Sequence, residues 1–319
     1  MAAPRISILI PTFNRAGMLS AAVASALAQT WENLEVLVSD NASTDATPQT
    51  MAAFTTDPRL SYHRNPVNVG MVANWRQLLD RASGDYFLLL SDDDELLVPT
   101  YLATAAALIQ AHPDLALVYA NGCILDTRTG ERRELRLPFQ GVQPGGRIFA
   151  SRDRVRPQDF TLCNVLFNRS RALQVDAFAN PHNLCCDSEL FLCLCLLGRV
   201  AVVEDEVSLY RMHSGNLIDT VGRDYDLLTQ TMEMYFRPHA LALERGGLTS
   251  EERHAFEEVL WRALRKTLLE VAQKHPGRYG ECLAWLRRDH PAVLRQARSN
   301  LKFWRKLLRL RWRQWRGLA

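Results

Sequence analysis

Short apolar runs that stop at polar residues alternate with segments of helical spacing along the first third of the chain. Ile6-Ser7-Ile8-Leu9-Ile10 ends in Pro11-Thr12-Phe13-Asn14-Arg15, after which Leu19, Val23, Ala26 and Leu27 recur at helical intervals. Leu34-Glu35-Val36-Leu37-Val38 is a second run. It ends in Ser39-Asp40-Asn41-Ala42-Ser43-Thr44-Asp45, small polar residues that suit a turn feeding a helix that Pro48 helps to start. Leu60 to His63 predicts a third strand, Asn68 to Ala82 a helix with Val72, Trp75 and Leu79 inward, and Tyr86 to Leu90 a fourth strand. Strands alternating with helices predict an α/β fold around a largely parallel sheet, with ligands at the carboxyl ends of the strands. The polar motifs of this region all fall at those ends.

The fourth run ends in Ser91-Asp92-Asp93-Asp94-Glu95. Adjacent carboxylates repel one another unless a divalent cation or solvent relieves them, and hard oxygen ligands suit Mg2+ or Mn2+. A solvated acidic turn is the alternative reading of the same residues.

Beyond the fourth strand the pattern changes. Residues 131–160 are rich in Arg, Pro and Gly, including Arg132, Arg133, Arg136, Pro138, Pro144, Gly145 and Gly146, and predict a long loop over the site. Leu190 to Leu197 predicts a strongly apolar helix, preceded by Cys185-Cys186-Asp187-Ser188-Glu189; Val200 to Val203 and Val207 to Asn216 follow, the latter containing Tyr210-Arg211-Met212-His213. From Tyr225 the spacing is helical, through Leu228, Met232 and Tyr235 and then Phe256, Leu260, Leu264 and Leu268. The resulting division is a catalytic domain over 1–220, a helical extension over 221–297 and a terminal helix over 298–319.

Composition adds three points. With 319 residues, 47% of them hydrophobic, the chain can bury one sizeable α/β core and an additional helical part. Its seven cysteines are odd in number and unpatterned; Cys-Cys and Cys-x-Cys inside one apolar helix lack the usual zinc spacing, so buried thiols are expected. With no apolar run of transmembrane length and no leader pattern, a reducing cytosol fits best.

The formal charge of +3 is unevenly placed, because residues 298–316 carry eight basic side chains and no acidic one, leaving −5 for the rest. At helical spacing Leu301, Trp304, Leu308, Trp312 and Trp315 share one side, adjoined by Phe303, Leu307 and Leu310, with most of the basic residues opposite. Such a helix suits shallow insertion at an anionic membrane surface. Packing on the catalytic domain or on a second copy in a homodimer is the alternative; nucleic acid is not an expected partner.

Five of these segments, in order and spacing, resemble the GT-A glycosyltransferases of the large family 2 type: Pro11-Thr12-Phe13-Asn14-Arg15, Ser39 to Asp45, Asn68-Val69-Gly70, Ser91-Asp92-Asp93-Asp94 and Tyr210-Arg211-Met212-His213. The resemblance covers roughly residues 5–215. It implies a GT-A, Rossmann-like, mostly parallel central sheet flanked by helices, with the C-terminal helical region added. It also implies a metal-dependent transfer of a sugar from a nucleoside-diphosphate sugar to a hydroxyl of a glycan or lipid-linked acceptor, with inversion, in cell-surface polysaccharide synthesis at the cytoplasmic face of the inner membrane.

Carried over residue by residue, the resemblance assigns Asp40 to the nucleotide base, with Pro11, Thr12, Asn14 and Arg15 lining the same pocket. Asn68 and Gly70 open a helix whose N–H groups favour an anion. Asp93 is the expected metal ligand; Asp92 reaches the metal or the donor ribose, Asp94 orients the site or binds the sugar, His213 completes the metal shell or donates to a phosphate, and Arg211 is a charge-assisted partner for phosphate or carboxylate. Ser91 stands where the family often has the first Asp of its Asp-x-Asp motif, which leaves the division among residues 92–94 open. Asp187 falls on the Asp of the family's Glu-Asp pair while Cys186 replaces the Glu, so Asp187 is the expected general base and Glu189 the reserve. Two other classes remain in view. A nucleotidyltransferase also uses strand-end carboxylates and a metal, although Pro11 to Arg15 is not the Gly-rich activating loop it needs. A non-catalytic nucleotide-binding, membrane-associated protein would need neither Asp187 nor the acidic run.

Overall fold

The computed structural model describes residues 3–151, 161–215, 225–291, 294–295, 303–305, 307–309 and 312. The chain divides into two compact units, Met1–Asn216 and Leu217–Ala319.

The first unit is built on ten strands: β1 Ile6–Thr12, β2 Leu34–Asp40, β3 Leu60–Arg64, β4 Tyr86–Leu89, β5 Glu95–Leu96, β6 Leu115–Asp126, β7 Arg132–Leu135, β8 Gly141–Pro144, β9 Val165–Asn168 and β10 Arg199–Met212. They form one sheet in the order β3-β2-β1-β4-β9-β6-β10-β5, with β7 on β6 and β8 on β10. The pairs β3–β2, β2–β1, β1–β4 and β6–β10 are parallel, and β9 is inserted antiparallel between β4 and β6. The expected central sheet, mostly parallel and flanked by helices, is thus present.

The apolar runs become strands because both faces of the sheet are covered. Ile6, Ile8 and Ile10 pack with Leu19, Val23 and Ala26 of α1 (Ala16–Leu27) in one core. Helices α2 (Thr47–Ala52), α3 (Met71–Arg81) and α4 (Tyr101–Ala111) fill the remaining crossovers. After β1 the chain places β2 on one side and later β4 on the other, so the direction of winding reverses between β1 and β4. In an open α/β sheet such a switch point opens a crevice at the carboxyl ends. Thr12 and Asp92 flank it.

The Arg-, Pro- and Gly-rich stretch is not the long loop the composition suggested. Strand pairing overrides it: β7 lies antiparallel on β6, β8 antiparallel on β10, and α5 (Gly145–Ala150) follows directly. Gly145 enters where an added Cβ would collide with the Cys195 carbonyl oxygen, so the glycine that looked like loop chemistry permits close packing on the helix Cys186–Cys195. Residues 152–160 lie outside the described ones.

Between β9 and α7 lies α6 (Arg169–Gln174). α7 spans Cys186–Cys195 and starts four residues before the expected Leu190. Cys186, Cys193 and Cys195 are buried in it, as are Cys123, Cys163 and Cys282 elsewhere.

The second unit is helical, with α8 Tyr225–Arg245, α9 Ser250–Lys274 and α10 Tyr279–Asp289. The Thr249 hydroxyl accepts from the Glu252 N–H while Glu252 accepts from the Thr249 N–H, a reciprocal cap that fixes the start of α9. Most of 298–319 lies outside the described residues. Those within it divide the expected apolar face: Phe303 and Leu307 are buried, whereas Leu308 is 64% and Trp312 50% exposed. Among the described residues no helix is long and apolar enough to cross a membrane.

Candidate functional site

Three loops leave the carboxyl ends of β1, β2 and β4 and are laced together by side chains of the predicted motifs. Asn14 adopts a left-handed backbone (φ 55°), for which Asn is suited. Its N–H donates to the Ser43 hydroxyl at 2.9 Å, and its carboxamide oxygen accepts from the Thr44 N–H at 2.7 Å. Asp45 accepts from the Ala16 N–H at 3.0 Å, closing the same pair of loops. Ala42 also sits at positive φ (67°), a strained conformation for a residue with a Cβ and of the kind found where surrounding contacts dictate the backbone.

Asp40 ends β2 as expected, but its side chain is fully buried. One oxygen accepts from the Ser43 N–H at 2.7 Å, the other from the Tyr62 hydroxyl at 2.7 Å, with Arg64 Nε 3.5 Å away. Burial and the bond to Asp40 push the Tyr62 phenol above its usual range. Asp40 thus ties Ser43, Tyr62 and Arg64 together at the carboxyl end of β2.

Asn68 and Gly70 precede α3, with Gly70 as its N-cap at φ 88°, a conformation that favours glycine. An amide network holds them: Asn41 Nδ2 donates to Asn68 Oδ1 (2.9 Å) and the Gly70 carbonyl (3.2 Å), and the Val69 N–H donates to Asn41 Oδ1 (2.9 Å). Beneath it Asn65 Nδ2 reaches Asn41 and Asn74, and Ser39 donates to Asn74 at 2.6 Å. Asn41, Asn65 and Asn74 were missed as site residues. Asn74 occupies an inward position of α3, where a buried amide signals an obligatory partner.

The acidic run is buried rather than solvated, with Asp92, Asp93 and Asp94 each no more than 5% exposed. Burial pushes Asp92 up to about 6, against the opposing pull of Arg15, the Thr12 hydroxyl and the Phe13 N–H. Burial likewise drives Asp94 well above the usual carboxylate range. Arg15 lies across the cluster. Its Nη1 donates to Asp92 Oδ1 at 3.2 Å and to Asp93 Oδ2, and its Nη2 to the Gly215 carbonyl at 2.8 Å. Burial opposes the guanidinium charge, but Asp92 and Asp93 outweigh it and raise the Arg15 pKa.

The end of β10 completes the site. His213 Nε2 lies 3.0 Å from Asp93 Oδ2, and the Gly215 N–H donates to His213 Nδ1 at 3.0 Å. With Nδ1 accepting, the ring proton of a neutral imidazole resides on Nε2. Arg211 ties the acidic run from beneath: its N–H donates to Asp94 at 3.0 Å, Nη1 to the Asp93 carbonyl at 3.0 Å and Nη2 to Glu95 at 2.5 Å. These bonds make Arg211 a brace on a carboxylate, one of the two kinds of partner, phosphate or carboxylate, that the sequence allowed.

The model of the family described as glycosyl transferase family 2 matches residues 7–171, just over half of the chain and all the loops above up to β10. The chain belongs to that family. Among curated relatives, a GalNAc(5)-diNAcBac-PP-undecaprenol beta-1,3-glucosyltransferase of Campylobacter jejuni is 34% identical over 125 residues, 39% of each chain. The putative colanic acid biosynthesis glycosyl transferase WcaA of Escherichia coli is 32% identical over 161 residues, 50% of this chain and 57% of the other. The chain thus spans about half, or less, of the length of these relatives. Of solved structures, S. aureus TarS in complex with UDP superposes with a TM-score of 0.62 at 17% identity, covering 86% of this chain and 74% of that one. That likeness concerns the fold, which is GT-A as expected.

Two expected family positions remain. Asp187 lies half-buried in the first turn of α7, which begins at Cys186, and accepts from the Ser188 N–H at 2.6 Å. Burial, with the charges of Asp94, Asp93 and Asp187 adding to it, raises the Tyr210 phenol above its usual range. Glu189 is buried and accepts from Asn183 Nδ2 at 3.1 Å, which makes it a fixed wall residue.

The family's metal can be weighed against the donors present. Asp92 and Asp93 offer hard oxygens on either side of one point, at which Arg15 places a positive charge, so they fit a divalent cation. His213, as held here, presents a proton at Nε2 rather than a lone pair. Among the described residues no three or more His, Cys, Asp or Glu side chains gather with metal-holding geometry.

Proposed function

We propose that the chain transfers a sugar from a nucleoside-diphosphate sugar to a hydroxyl of a glycan or lipid-linked acceptor, with help from a divalent cation. The observation that carries this reading is the convergence of Arg15, Asp92, Asp93 and His213 from three loops at the β1/β4 switch point of a family 2 chain. Asp92 and Asp93 would hold Mg2+ or Mn2+, which when bound neutralises charge on the departing diphosphate. The nucleoside lies along Pro11, Thr12, Asn14 and the wall built on Asp40, with Asn68 and Gly70 nearby at the start of α3, where Asn68 Oδ1 holds the Gly70 N–H at 2.8 Å. Arg15 is the donor proposed for the phosphate oxygens, and His213, beside Asp93, the further group proposed at the cation. Asp187 accepts the proton of the acceptor hydroxyl as the new C–O bond forms, and with no covalent nucleophile required the outcome is inversion at the anomeric carbon.

Names of relatives support the acceptor class, one being a transferase named for an undecaprenol-linked saccharide and another for colanic acid biosynthesis. Structural neighbours solved with UDP-GlcNAc, or with GDP-Man and Mn2+, support the donor class and the cation. Incubation with a panel of nucleotide sugars, Mn2+ and lipid-linked glycan acceptors, read by mass spectrometry, tests the reading. Release of nucleoside diphosphate with a mass gain of one sugar on the acceptor supports it. Transfer of the nucleotidyl group would favour a nucleotidyltransferase, and no turnover with any donor a binding protein.

The exposed Leu308 and Trp312, in a segment with eight basic side chains and no acidic one, favour docking of the C-terminal segment on an anionic bilayer at the cytoplasmic face of the membrane. Co-sedimentation with anionic vesicles should disappear on deletion of residues 298–319 and weaken with salt. Retention by the truncated protein would exclude this anchor.

A further inference from the structure

We infer that Arg15 is a resident latch on the cation site: its guanidinium lies across the two carboxylates proposed to hold the cation, its bond to Gly215 holds His213 in the tautomer that refuses a metal, and it must leave before a divalent cation can enter. The inference rests on the cation-binding role proposed above for Asp92 and Asp93.

Two independent features of the same guanidinium carry it. Nη1 is shared between Asp92 and Asp93, the two carboxylates between which a divalent ion would lie. A guanidinium and a divalent ion cannot both be in contact with the same oxygens, so occupancy by one excludes the other. Nη2 meanwhile bonds the Gly215 carbonyl, and the same residue's N–H donates to His213 Nδ1. An added Cβ at Gly215 would lie 3.1 Å from both Cε1 and Nδ1 of that ring, so the turn folds tightly over the imidazole and presents its N–H to Nδ1. While Arg15 fixes Gly215, Nδ1 is an acceptor, the proton stays on Nε2, and Nε2 donates to Asp93.

Departure of Arg15 therefore changes two things together. The carboxylates lose their counter-charge, and the turn carrying Gly215 is released. The imidazole can then exchange its proton through solvent from Nε2 to Nδ1 and turn a lone pair toward the cluster. The freed guanidinium, on the loop that follows β1, becomes available to the diphosphate, whose planar recognition it suits. Cation entry and phosphate capture by Arg15 are on this view one exchange, in which a nucleotide helps to pull the latch open.

The test measures binding, not turnover. Mn2+ is titrated into the nucleotide-free full chain and free Mn2+ is read by electron paramagnetic resonance, for the wild type and for Arg15→Ala, Arg15→Gln and Asp93→Asn. Histidine side-chain 15N shifts, without metal and with Mg2+, report the His213 tautomer. Arg15→Ala is expected to bind Mn2+ about tenfold tighter than wild type or better, since even 1.4 kcal/mol of relieved competition gives that factor. Its His213 should also lose the fixed Nε2–H form that wild type shows without metal. Arg15→Gln keeps the reach of the side chain without its charge and should behave alike, which keeps the test valid should the alanine variant fold poorly. Equal Mn2+ affinity in wild type and both Arg15 variants, with binding lost in Asp93→Asn, would overturn the latch and leave the cation site standing. Absence of Mn2+ binding from every variant, with or without nucleoside diphosphate, would remove the cation site itself and the latch with it.

Discussion

The two ends of the same parallel strands treat their carboxylates in opposite ways. At the amino end of β2, Glu35 accepts from Arg5, from the Ser7 hydroxyl at 2.6 Å and from both the N–H and the hydroxyl of Ser83. Burial works against its charge, but the donors of Ser7 and Ser83 together with Arg5 hold its pKa below the usual carboxylate range. At the carboxyl end, Asp92 accepts from Arg15, and although Arg15, Thr12 and the Phe13 N–H all favour its charge, burial prevails and pushes it up to about 6. One carboxylate is content with its surroundings; the other is held charged at neutral pH against its surroundings. A cluster paid for in this way is expected where an external cation and an anionic substrate complete it, whereas Glu35 needs nothing further.

The contrast breaks most visibly if the carboxyl end proves dispensable to turnover. Asp187→Asn should lower transfer by about 10²–10⁴-fold, the usual weight of a general base, while nucleoside diphosphate affinity by calorimetry stays at the wild-type value. A parallel loss of affinity would place Asp187 on the donor side instead. Asp93→Asn should cost about 10²–10³-fold, the scale for removal of one preorganised electrostatic partner, and should also lower Mn2+ affinity. Wild-type turnover in that variant, or in excess chelator, would contradict the assignment of Asp93.

The amino end is expected to move stability alone. Glu35→Ala strands the donors of Ser7 and Ser83 and should destabilise the first unit by about 1.5–3 kcal/mol, the range for hydrogen bonds to a charged group, with kcat per folded molecule unchanged. Because the folded-state pKa of Glu35 is lowered, its contribution is present above the ordinary carboxylate range and fades as the pH falls through it. Reduced turnover at full folding would mean that the two ends are coupled.

Much of this division was legible in the chain. The apolar runs gave the strands around β1, β2 and β4, and Pro11 to Arg15, Ser39 to Asp45 and Ser91 to Asp94 marked the ends at which the site lies. Strand pairing over 132–144 was not, because Gly141, Pro144 and Gly145 read as loop chemistry until β6 and β10 supply partners. Nor were the roles of individual polar groups legible. Asp40 looks like a free carboxylate until Tyr62 arrives from β3, Arg211 could face phosphate or carboxylate until Glu95 meets it, and helical spacing does not say that Asn74 meets Ser39. These partnerships join residues far apart in sequence, and periodicity carries no information about them.

The most direct measurement is the thermal midpoint of Asp92→Asn against wild type in chelator, at pH 5 and pH 7.5, with turnover in Mn2+ taken on the same preparations. Since the folded-state pKa of Asp92 is raised, its contribution to stability is favourable below the ordinary carboxylate range and is lost as the pH rises through about 6. The neutral variant should therefore gain on wild type between pH 5 and pH 7.5, becoming the more stable of the two at the higher pH, while its turnover falls. A variant that is less stable than wild type at pH 7.5 and turns over at the wild-type rate would contradict the claim that this end of the sheet is held in readiness for a ligand.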